Sequence, residues 1–82
     1  MKLVLIEWMD SHSGRGWQEL DKLKTAAKPL PCRSVGWLIS ERNGHKVIVP
    51  HLSGERDNPG EGCGEMVIPT KVITKITVLR HR

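Results

Sequence analysis

The sequence predicts a small, mostly β domain of five short strands. The segments "KLVLIEWM", "CRSVGWLISE", "HKVIVPHL" and "TKITVLR" are dense in Val, Ile, Leu and Trp, with apolar residues recurring near every second position. An Asn-Gly pair, Asn43–Gly44, stands between the middle two and accepts the positive φ angles of a tight hairpin turn. Helical spacing is confined to one brief segment.

The first strand, "KLVLIEWM", carries Val4, Ile6 and Trp8 on one face and Leu3, Leu5 and Met9, with Glu7, on the other. Apolar residues on both faces predict a strand covered twice, by its own fold or by a partner chain. "DSHSGRG" breaks it, and a weak helix over "GWQELDKLKTAA" is expected to start near Ser13 or Gly14, placing Trp17, Leu20 and Leu23 or Lys24 at helical spacing. "KPLP" ends that helix, because each proline disfavours helix in the residue before it.

"CRSVGWLISE" forms the second strand, where Gly36 marks a bulge, a bend or a close backbone approach. "HKVIVPHL" returns after the Asn-Gly turn, and Pro50 puts its end at a strand terminus or edge. "SGERDNPGEGCG" is expected as a polar loop, a flexible connection or a lid with Arg56 as its useful charge. "EMVIP" is a fourth strand, "PTKVI" one turn of 3₁₀ helix begun by Pro69, and "TKITVLR" the fifth strand. That order, with a long first connection carrying a short helix and a 3₁₀ turn before the last strand, predicts a five-stranded SH3-like barrel in a single domain over residues 1–82.

A chain of 82 residues has room for one small core. Folding at this size buries only about 60% of the unfolded surface, so self-association is a common remedy, and a homo-oligomer is expected here. Cys32 and Cys63 sit in no metal or redox spacing and read as reduced thiols of a cytoplasmic protein. "MKLVLIEWMD" meets Glu7 and Asp10 too early for a secretory leader, and no apolar run reaches the roughly 20 residues of a membrane span.

The net charge of +4 favours anionic partners, but the basic residues are dispersed rather than gathered on one helix face. Catalysis is not expected. Asp10, Ser11, His12 and Ser13 are consecutive, whereas a nucleophile, its base and the orienting group converge from separate parts of a fold. Cys32, Cys63, His12, His45 and His51 show no zinc spacing, so no metal and no cofactor are expected. The glycine-rich "GERDNPGEGCGE" lacks the phosphate-loop pattern, and Glu55, Asp57, Glu61 and Glu65 would repel phosphate.

"SHSGRGWQ" is the better anion candidate. Its small residues permit close backbone approach, Arg15 offers a planar fork of donors, and Ser11 and Ser13 add hydroxyls. Trp17 could stack on a base, or it could fold over the domain's end and anchor the loop. Trp8 and Trp37, each mid-strand among aliphatics, read as core. The candidate ligand-binding set is therefore Asp10, Ser11, His12, Ser13, Arg15, Trp17 and Arg56, for a small anionic ligand such as a nucleotide. Nucleic acid and a host protein are the alternative partners. A proline-peptide groove of the SH3 kind is disfavoured in a chain with no Tyr and no Phe.

The combination "WMDSHSGRGW", "SVGWLIS", and "GCGEMVIP" with "VITKI" resembles a group of small proteins encoded by tailed bacteriophages, which share W-x-D-S, G-W, S-V-G and a final I-P-x-x-x-I. By analogy of size and genomic origin, the resemblance implies a sponge that sequesters nucleotide signals of bacterial immunity, such as those of CBASS and Thoeris systems.

Overall fold

The computed structural model describes residues 1–11, 13–26 and 28–80. It is mostly β. The elements run β1 (Lys2–Asp10), α1 (Leu20–Ala26), β2 (Leu30–Arg42), β3 (His45–Val49), β4 (His51–Glu55), β5 (Asn58–Cys63), β6 (Met66–Pro69), a 3₁₀ turn (Thr70–Val72) and β7 (Ile73–Val78). Five strands form one antiparallel sheet in the order β6-β3-β2-β1-β7, and β4 and β5 form a separate two-stranded sheet. Among the described residues no ladder joins the edge strands β6 and β7, so the expected barrel is not closed.

The alternation of β1 is decisive. Val4 and Ile6 are buried at 1% and 0% exposure, and they meet Ile48 of β3 and Ile68 of β6, with Trp8, Leu38, Val72 and Ile73 packed around them. β2 separates β1 from the paired strands β3 and β6, so the sheet must bend across β2 for these side chains to touch. At Gly36 β2 lies close against β3. A Cβ there would lie 2.9 Å from the Val49 carbonyl oxygen and 3.1 Å from Ile48 Cβ, so the expected close approach is real.

The Asn-Gly turn forms as expected. Arg42 pairs with His45, and Asn43 and Gly44 adopt φ of 59° and 75°. The Gly44 carbonyl accepts a 2.9 Å bond from the Thr70 amide, which ties this turn to the start of the 3₁₀ turn. Ladder shifts leave Thr74 and Ile39 as extra residues in β7 and β2. The Thr74 hydroxyl donates to the Glu7 carbonyl at 3.1 Å, which supports the β7 bulge.

Two expectations need correction. The segment read as a polar loop is the β4–β5 hairpin, closed by the two-residue turn Arg56–Asp57 between paired Glu55 and Asn58. Gly54, at φ 116°, lies where the register shifts, and a Cβ there would stand 2.9 Å from the Gly60 amide nitrogen. Composition pointed to a loop because Gly and Asp are poor strand formers, but backbone pairing forms this ribbon with only Leu52 and Pro59 half-buried. The helix, too, starts at Leu20 rather than near Gly14. Gly16 takes φ 81°, which a right-handed helix cannot accommodate, so no helix runs on from Gly14, and Trp17 lies before the first residue of α1.

Candidate functional site

The candidate residues separate into three places. Asp10 ends β1 and is half-buried, and with Ser11 it lines a groove of about 470 Å³. Trp8, Pro29, Pro69 and Val72 make that groove apolar, while Lys71 and Thr74 add polar groups. Trp8 is held rigidly there. Its Nε1–H donates to Ser34 Oγ at 3.0 Å, and the Ser34 hydroxyl donates to Met66 Sδ at 3.5 Å.

Ser13, Arg15 and Trp17 lie beyond this groove, exposed on the connection to α1. Trp17 is 104% exposed, so it does not fold back to anchor the loop. The physical reason is the missing counter-surface, because the α1 side chains that could receive an indole are themselves exposed, Leu20 at 71% and Leu23 at 41%. Arg15 and Trp17 flank Gly16, one residue on either side. His12, also in the candidate set, lies outside the described residues.

Arg56 is not part of this cluster. With Asp57 it forms the tip of the β4–β5 hairpin, where both line a groove of about 510 Å³ with Met1, Trp37 and Pro59. Met1 precedes the nine-residue β1 and Asp10 ends it, so the two grooves lie at opposite ends of that strand. Trp37 was expected in the core and is instead half-buried on the outer face, paired in register with Leu3 and Val49. Alternation assigns Trp37 to the face opposite Val4 and Ile6 but cannot say what covers that face. The hairpin covers only part of it, with Gly62 lying over the Val49 methyls.

Cys32 is half-buried in β2 and Cys63 exposed at the end of β5, both free thiols. Among the described residues no three metal-ligating side chains converge, and no helix is long and apolar enough to cross a membrane. Comparison of the chain with known protein families, with curated proteins and with solved structures gave no match.

Proposed function

We propose that this chain is a non-catalytic binding module that holds a small anionic, ring-bearing ligand, a nucleotide above all, on the connection between β1 and α1. The observation that carries the reading is the bare Trp17 indole beside Arg15. Burying a Trp removes 150–250 Å² from water, so leaving it exposed forgoes about 4–6 kcal/mol of folding stabilisation. A ligand base stacked on the indole recovers part of that, about 1–3 kcal/mol. Arg15 would take the phosphate through paired hydrogen bonds, and the +4 net charge draws anions toward the surface.

The strand order, with a 3₁₀ turn before the last strand, supports reading the scaffold as an SH3-like barrel variant with the β4–β5 hairpin inserted. Val35 and Val67, 52% and 56% exposed on the main sheet, support assembly as a homo-oligomer. The resemblance to small tailed-phage proteins supports a sequestering role, a sponge for a nucleotide immune signal in the host cytoplasm.

Calorimetric titration with a panel of cyclic and linear nucleotides tests the reading. Arg15→Ala should weaken binding about ten-fold or more with an unchanged melting temperature, since hydrogen bonds to charged groups contribute about 1.5–3 kcal/mol. Binding equal to wild type would remove Arg15 from the site. Light scattering should return a mass above the 9.2 kDa of one chain at micromolar concentration. A second reading, a host-protein partner, is favoured by the apolar groove of Trp8, Pro29, Pro69 and Val72. It predicts a specific protein in a pull-down and no response to nucleotides.

A further inference from the structure

The two edge strands of the main sheet differ in how well they are protected. β6 is four residues long and ends in Pro69, which has no N–H to offer, and both features blunt an edge. β7 has six residues with neither proline nor glycine, and among the described residues it pairs with β1 alone. The Leu79 amide donates to the Leu3 carbonyl at 2.8 Å, which fixes the phase of that ladder. Alternate residues turn their backbone groups toward β1, so Thr77 and Leu79 face it while Ile76 and Val78 face outward. The side chains of Ile76 and Val78 are 37% and 50% exposed, and they stand opposite Ile6 and Val4 of the core. An apolar edge with open ladder groups is a template for one more strand.

The residues of β7 fit a second β7. An antiparallel two-fold at Thr77 sets Thr77 against Thr77 of the second copy, Ile76 against Val78 and Val78 against Ile76. The outward amide and carbonyl of Ile76 then bond to those of Val78, and the two apolar side chains cover each other on the core face. Lys75 falls opposite Leu79 and Arg80 opposite Thr74, so no like charges oppose. Lys75 is also matched within its own sheet by Glu7, its partner in β1. A two-fold at Ile76 would instead use Thr74, the extra residue of the bulge, and one at Val78 would set Ile76 against Arg80. We propose that two copies of this chain join edge to edge along β7, with the two-fold at Thr77, into one continuous sheet. This gives the homo-oligomer proposed above its interface and rests on that reading, while it is independent of nucleotide binding.

Sedimentation equilibrium of the full chain at micromolar concentration tests the proposal. Wild type should weigh twice the 9.2 kDa of one chain. Thr77→Lys and Thr77→Glu should each raise the dimer dissociation constant about ten-fold or more, because this two-fold sets residue 77 against itself. Mixing the two variants should restore a dimer, which general damage to the fold cannot do. Val78→Pro removes an N–H that points away from β1, so the chain should keep its circular dichroism spectrum while the dimer dissociates. A dimer that survives all three substitutions, or a mixture of Thr77→Lys and Thr77→Glu that stays monomeric, overturns the edge pairing. Val35→Asp separates that failure from failure of the homo-oligomer itself. If Val35→Asp alone dissociates the dimer, the homo-oligomer stands on the sheet face and the β7 edge is removed from it. A wild-type chain that remains at 9.2 kDa removes both.

Discussion

β1 and α1 are of similar length, nine and seven residues, and opposite in what they contribute. β1 is paired along both edges and places Val4 and Ile6 in the core. α1 exposes its leucines, and beyond its internal backbone ladder it has a 3.2 Å bond from the Leu23 amide to the Glu19 carbonyl and those of the Thr25 hydroxyl to Asp21 and Lys22. A helix this short is marginal alone in water, since even alanine-rich helices need about 12–15 residues. Stability is therefore concentrated in the bent sheet, whereas the bare Trp17 and the Arg56–Asp57 tip sit on parts that contribute little to it. Such a division leaves the proposed binding surface at Trp17 open to change without loss of the fold.

The sharpest way to break this contrast is a matched pair of truncations. Ile6→Ala should cost about 2–5 kcal/mol in urea unfolding, because Ile6 is 0% exposed and its neighbours cannot all collapse into the void. For a domain of this size, with total stability of roughly 4–12 kcal/mol, that is a large fraction. Leu20→Ala, at 71% exposure, should stay within about 0.5 kcal/mol. Equal effects would mean that α1 is docked on the sheet in solution.

A second pair sharpens the comparison with glycines. Gly36→Ala should destabilise by about 1–3 kcal/mol, because the new methyl collides with the β3 backbone at Val49. Gly60→Ala in the hairpin meets nothing within 4 Å and should be close to neutral in the same urea titration. The Asn-Gly turn comes next. Gly44→Val should cost about 1–2 kcal/mol, since a β-branched residue resists φ of 75° although the space around it is open. A melting temperature identical to wild type would contradict that turn geometry. Trp8→Phe is expected at about 1 kcal/mol for the lost bond to Ser34. If Ser34→Ala costs the same and the double variant no more than either single change, the bond is the cause.

Much of the sheet was readable in advance. The alternation along β1, the Asn43–Gly44 turn, the end of β3 before Pro50 and the 3₁₀ turn after Pro69 all follow from local rules that act over two to four residues. The β4–β5 hairpin did not follow from such rules. Its strands contain Gly54, Gly60 and Gly62, and ladder bonds that involve only the backbone leave no trace in side-chain pattern. The candidate residues fared similarly. Arg15 and Trp17 are close because they are close in sequence, whereas Arg56 was grouped with them on chemistry and lies at the other end of β1.

The sequence by itself determined periodicity, turn chemistry and which residues share a strand face, because each depends on torsions and spacing within a few residues. It did not determine which face would be covered, or by what. Tertiary structure decided that Val4, Ile6, Ile48 and Ile68 meet across the bent sheet, with Gly36 close against β3, that Trp37 lines a groove instead of the core, and that β6 and β7 remain separate edges. Those outcomes depend on how far the sheet bends and where the hairpin comes to rest. Both are set by contacts between residues distant in the chain, and a period of two reads the same whether a face meets protein or water.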